Sequence, residues 1–223
     1  MSMECPEKIT CPDCGTEGDF TIWRSVNTQL SPEAKKRVLN GEIFKFKCPK
    51  CGNVSNVVYD MLYHQMEDEI MIHLATEDDA VDEAAESFDK IANGTMMPGI
   101  DLQQSDYTFR IVRDQNQLRE KIYIFDQGLD DRIIELMKMF IISNLMVKQP
   151  EIKIKEMLLE INEGAPENFA VQLEDGTWGS FPFQQEFYDT VKNDPVAPDD
   201  DGKRNYFVNR GWALEHLEAR IPK

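Results

Sequence analysis

The sequence lacks most of the patterns that mark a familiar chemistry. It contains no G-x-S-x-G, P-loop, G-x-G-x-x-G or H-E-x-x-H arrangement. Only three histidines occur, His64, His73 and His216, and no two are spaced to share a metal on one helix. Each reads as an ordinary polar or boundary residue rather than a base. No apolar run approaches the roughly 18 residues that suggest a membrane span, and the opening stretch MSMECPEK is too polar for a secretion leader. A cytoplasmic chain without a membrane anchor is expected. Basic residues are also scarce, 24 Lys plus Arg against 41 Asp plus Glu, for a net charge of −17 in 223 residues. A chain of that charge repels polyanions, which argues against non-specific attraction to nucleic acid or anionic lipid. With 41% hydrophobic and 9% aromatic residues it can nevertheless bury a core, so wholesale disorder is excluded.

Cysteine is scarce too, and it is concentrated. All five cysteines lie within residues 1–58, which carry eight basic and seven acidic side chains, a net of +1. The remaining residues carry 16 basic and 34 acidic groups, a net of −18. Composition and charge shift near the same point, so two units are expected, 1–58 and 59–223.

Cys11-Pro12-Asp13-Cys14-Gly15 and Cys48-Pro49-Lys50-Cys51-Gly52 are one pattern written twice, with 33 residues between Cys14 and Cys48. A C-x-x-C turn places two sulfurs on one side of a tight loop, where both can bind a tetrahedral metal. The following Gly supplies the positive φ that turns backbone amides toward the sulfurs. Two such knuckles predict a closed site of Cys11, Cys14, Cys48 and Cys51, the structural rather than catalytic pattern of zinc. A single iron, as held by the paired knuckles of rubredoxin, is the minor alternative on ligand softness. Disulfides are disfavoured in a cytoplasmic chain, and a redox pair needs no duplicate. Cys5 lies outside both pairs and reads as a free thiol.

Between the knuckles, Phe20–Val26 and Glu42–Lys47 alternate like strands, the latter with Phe44 and Phe46 on one face and Lys45 and Lys47 on the other. Ser31-Pro32-Glu33-Ala34 opens a helix that Gly41 closes, and Val54–Tyr59 supplies a third strand. The pattern is a zinc ribbon with an inserted helix, a unit too small for much core, so the metal contributes folding free energy. These residues, with Trp23, Ser25-Val26-Asn27, Pro32, Gly41 and the paired knuckles, resemble the CpXC domain family. The later segments Asn116–Ile122 and Gly128–Ile133 resemble its longer members. That family is bacterial and archaeal and has no established activity, so the resemblance implies four-cysteine metal binding and little else.

The acidic remainder predicts a mixed fold. Asp68–Ala75 reads as a strand, Thr76-Glu-Asp-Asp79 as a capping-box start, and Ala80–Ala92 as an acidic helix stopped by Gly94. Seven acids between Thr76 and Lys90 read as its solvated face. A loop Asn93–Gln104, a strand Tyr107–Arg113 and a helix Asp114–Asp126 follow. Asp130–Val147 is the strongest helix, apolar at 11 of the 15 positions from Ile133 to Val147, and therefore a core helix or an interface. Lys155–Asn162, then Phe169–Leu173 paired with Thr177–Phe181 across Asp175-Gly176, read as strands. Phe183–Lys192 is a short helix, 193–205 a loop, and Tyr206–Ile221 ends in a helix. Irregular mixing of strands and helices makes the class α+β.

The closed metal site without a catalytic motif points to a protein-interaction or scaffold module, through a protein partner or self-association. A nucleic-acid-associated ribbon is the alternative, drawing on Arg24, Lys35, Lys36, Arg37, Lys45, Lys47 and exposed aromatics. An enzyme with an unrecognised acidic site, or one using the loop Asn93–Gln104, comes third.

Overall fold

Residues 2–95, 107–162 and 164–220 are described by a computed structural model. The chain divides into two units, Met1–Arg119 and Glu120–Lys223, and helices mix with sheets as an α+β protein.

The first unit is built on a five-stranded sheet of spatial order β1-β2-β5-β6-β7. Its strands are β1 (Met3–Thr10), β2 (Glu17–Asn27), β5 (Met61–Gln65), β6 (Ile70–Leu74) and β7 (Thr108–Val112). β1 and β2 are antiparallel, with Thr10 opposite Glu17, and the first knuckle is the turn that joins them. β2 then pairs in parallel with β5, Ser25 with Leu62 and Asn27 with His64. The connection between those two strands carries helix α1 (Pro32–Leu39) and a separate hairpin, β3 (Lys45–Lys47) with β4 (Val54–Asn56). The second knuckle is the turn of that hairpin. The expected boundary at residue 58 therefore falls inside the first unit, because β2 on one side of it hydrogen-bonds β5 on the other.

Local differences have local causes. Glu42–Phe44 forms a tight helical turn rather than the start of a strand, entered from Gly41 at φ +69°. That turn buries Ile43 and Phe44 together, which strand alternation would not. Helix α2 (Asp78–Ala92) starts without the expected capping box. Glu77 is its N-cap with no side-chain bond, while Thr76 donates from both its amide and its hydroxyl to Asp60 Oδ1 at 2.8 Å. α2 forms the crossover from β6 to the parallel β7 and packs Phe88 on Phe109, centroids 4.7 Å apart. Its seven acids, Glu77 to Asp89, are exposed as expected. The expected loop Asn93–Gln104 lies, from residue 96 onward, outside the described residues.

Helix α3 (Gln115–Asp126) runs across the unit boundary and stops before Gly128, at φ +64°. In the second unit, α4 (Asp131–Lys148) is N-capped by Asp130, whose carboxylate accepts from Arg132 N at 2.9 Å. An antiparallel sheet of order β10-β9-β8 follows, from β8 (Ile154–Asn162), β9 (Ala165–Leu173) and β10 (Trp178–Pro182). The hairpin turns at Asp175-Gly176 as its sequence predicts, with Gly176 at φ +87°. Helices α5 (Gln185–Asn193) and α6 (Arg210–Glu218) complete the unit. Its core joins Ile134, Leu136 and Met137 of α4 to Phe169 and Val171 of β9, Tyr188 and Val191 of α5 and Ala213 of α6. No described helix is long and apolar enough to cross a membrane.

Candidate metal centre

The two knuckles fold alike because they share the C-P-x-C-G pattern. In the first, Cys11 N donates to Thr16 O at 2.9 Å and Gly15 N to Cys11 O at 3.0 Å. In the second, Cys48 N donates to Asn53 O at 2.8 Å and Gly52 N to Cys48 O at 3.1 Å. Gly15 and Gly52 sit at φ +68° and +73°, the left-handed region that a side chain resists. β1 and β2 carry the first turn, β3 and β4 the second. Phe46, buried between Lys45 and Lys47, packs with Cys11 and Cys48 in one small core that Ile9, Phe20 and Val57 border. Phe20 also meets Phe46 and Tyr59 edge-on at 6.4 and 6.1 Å.

This packing brings the sulfurs of Cys11, Cys14, Cys48 and Cys51 within 4.8 Å of one another. Cys11 and Cys51 approach to 3.6 Å across the knuckles, and so do Cys14 and Cys48. Hydrogen bonds from Thr16 lower the Cys14 thiol to about 6. The Cys51 amide is the main influence that lowers Cys48. Cys51 is pushed the other way, to about 12, because Cys48, burial and the remaining sulfurs outweigh the amide of Asn53. Four thiolates cannot share so small a space without a cation to balance them. The donor set therefore fits a soft, tetrahedral metal ion such as zinc, and all four predicted cysteines are brought together. Cys5 is a free thiol on β1, apart from them.

The other expected residues are distributed differently. The lysines of α1 are engaged, Lys36 with Glu33 at 3.2 Å and Lys35 with Gln65 at 3.2 Å. Arg37 pairs with Glu42 at 3.0 Å and lies 5.7 Å over the Trp23 ring. Trp23, Phe44 and Phe46 are buried, which corrects the expectation of exposed aromatics. By contrast Lys45, Lys47 and Lys50 are exposed and make no ion pair with any described residue. His64 shares a 2.8 Å hydrogen bond with Tyr107 Oη, and His216 Nε2 donates to Val196 O at 2.8 Å. His73 packs against Phe88.

Sequence reasoning missed a second polar cluster, in the other unit. Glu120, Lys121, Asp131, Glu135 and Lys138 are all buried. Their i, i+3 and i, i+4 spacings along α3 and α4 are ordinary for a solvated helix, so nothing in the sequence marks them as core.

A protein whose two C-P-x-C-G hairpin turns converge on one four-thiol site has the donor set with which paired-knuckle proteins can hold a metal ion. The sequence model of the CpXC protein family matches residues 9–138, and the chain belongs to that family. No curated protein and no solved structure matches it.

Proposed function

We propose that this protein is a zinc-stabilised interaction module of the cytoplasm, where reducing conditions keep its thiols available for metal. Zinc is structural in this reading: four thiolates leave no open coordination position. It holds the β1–β2 and β3–β4 hairpins together and so sets the face that β3 and β4 present. The observation that carries the reading is that face. Lys45 opposes Asn56 and Lys47 opposes Val54 across the hairpin, all four exposed, while Phe46 points inward. Lys50 at the knuckle and the exposed Val58 extend it. Unpaired lysines beside exposed valines, in a chain of net charge −17, suit a partner protein surface that is acidic and partly apolar. Single-stranded nucleic acid fits less well, because the aromatic rings that would stack on bases are buried.

The test compares wild type with a Lys45→Glu, Lys47→Glu, Lys50→Glu variant in affinity purification from the native cell, with nuclease and salt steps. A protein retained by wild type, released by salt and lost from the variant is expected. Retention of the same proteins by both, or copurifying material that nuclease removes, sinks the reading. Metal analysis of the purified chain is expected to give one zinc per chain; a red, iron-containing protein would move the reading toward electron transfer.

A further inference from the structure

The four cysteines are not equally sheltered. Cys11 and Cys48 are 1% and 2% exposed, Cys14 is half-buried, and Cys51 is exposed. A metal keeps all four as thiolates, the form that reacts with oxidants, so access decides which one reacts. Once Cys51 is oxidised, the thiol that resolves it must already lie beside it. Cys11 does, its sulfur 3.6 Å away on the other knuckle, within a cluster whose four sulfurs all lie within 4.8 Å of one another.

We propose that the cysteine centre is a site of oxidative modification, in which hydrogen peroxide reaches Cys51 first and Cys11 then forms a disulfide with it across the two knuckles. The inference rests on the metal-binding reading given above. In the first step the Cys51 thiolate attacks one oxygen of the peroxide, the O–O bond breaks, hydroxide leaves, and a sulfenic acid is formed. In the second the Cys11 thiolate attacks the Cys51 sulfur, the S–O bond breaks, a second hydroxide leaves, and the S–S bond forms. Each sulfur loses one electron, peroxide gains two, and both hydroxides take protons from solvent. The centre has then lost two of its four donors, and the metal departs as a cation. Because Cys11 lies in the β1–β2 turn and Cys51 in the β3–β4 turn, the new bond ties the same hairpins that the metal tied. It does so in a different geometry, so the β3–β4 face persists in altered form.

The experiment uses the full chain loaded with zinc, its metal content measured first. It is treated with equimolar hydrogen peroxide in the presence and absence of dimedone. Metal release is followed with a chromogenic chelator, and the modified cysteines are mapped by peptide mass spectrometry. Dimedone on Cys51, and a Cys11–Cys51 crosslink appearing together with released zinc, are the expected results. A first crosslink between Cys48 and Cys51 or between Cys11 and Cys14, a dimedone adduct on Cys14, or no reaction overturns the proposal while leaving the metal site intact. Purified protein that takes up no metal overturns the metal reading and this inference together. A Cys51→His variant keeps a fourth donor but removes the attacking sulfur. Its zinc should be released about tenfold more slowly, and an unchanged rate in a metal-loaded variant also overturns the proposal.

Discussion

Lys138 Nζ lies 2.7 Å from Glu120 Oε1 and 2.8 Å from Glu135 Oε1, and Lys121 Nζ lies 2.8 Å from Asp131 Oδ2. Glu120 Oε1 also accepts from Leu159 N at 2.6 Å, so a side chain satisfies an amide on the outer strand β8. Burial raises Glu120. Lys138 is raised as well, because Glu120 and Glu135 outweigh the burial that opposes it. Removing a partner from such a group leaves an uncompensated buried charge. Lys138→Met should therefore cost about 3–5 kcal/mol in chemical denaturation, and a cost below about 1 kcal/mol would contradict this account. Since the folded Lys138 is raised, its contribution is full below its ordinary 10.5 and fades as pH rises through its folded value. The histidines set the acid side. Burial lowers His64 and His73 from 6.5, so their contribution is present above 6.5 and is lost as pH falls below it. Denaturation midpoints at pH 7 and pH 5 should diverge less in a His64→Gln, His73→Gln variant than in wild type. Equal slopes would show that other groups control acid stability.

Among the elements, β2 meets the metal centre at Gly18. A Cβ there would lie 2.8 Å from both the Phe46 ring and Pro49, pushing the second knuckle from the first. Gly18→Ala should cost about 1–3 kcal/mol by overpacking and lose metal more readily to a competing chelator. Retention equal to wild type would show that the hairpin yields without cost. Helix α4 resolves a different question. Its apolar sequence suggested either a core or an interface, and the first half of the helix is core, while its last turns carry exposed apolar residues. Asp131 to Met139 are buried on all sides, charged residues included. Beyond them Phe140 is 37% and Val147 82% exposed. At the start of α4, Arg132 donates twice to Asp130, at 3.0 and 2.7 Å, and once to Asp200 O at 3.0 Å. It thereby pins the acidic loop that precedes α6. Arg132→Lys keeps the charge but not the fork. That variant should be cleaved faster between 194 and 209 in limited proteolysis, and unchanged cleavage would place the loop's anchor elsewhere.

At the scale of the molecule, the net charge of −17 averages unlike surfaces. The exposed acids of α2 contrast with the unpaired lysines of the β3–β4 face. The metal is expected to matter to the first unit above all. Stripping the proposed zinc from protein kept at a free zinc level about a thousandfold above its Kd should remove about 4 kcal/mol, or roughly 8–16 °C of melting temperature. Hydrogen exchange should quicken in β1 to β4 and leave α4 unchanged; uniform quickening would mean that the whole chain depends on the site. Much of this was legible beforehand. The knuckles, the ends of α3 and α4 and the Asp175-Gly176 hairpin are written in residues that act on their own backbone. β1, with the sequence MECPEKIT, was not read as a strand, because it is exposed on most positions and exists through its pairing with β2. β5 was missed as well: Met61, Tyr63 and Gln65 share its buried face, and a polar residue there conceals the alternation.

The sequence by itself determined the four clustered cysteines, the class of fold and the family, because short-range chemistry selects them: two turns of one pattern, capped helix ends, left-handed glycines. The tertiary structure decided how the knuckles converge, that β2 and β5 join what composition divides, and which charges are buried. Those outcomes depend on pairings between residues far apart in the chain. Burial and partnership are properties of neighbours in space, and a list of residues in order does not specify them.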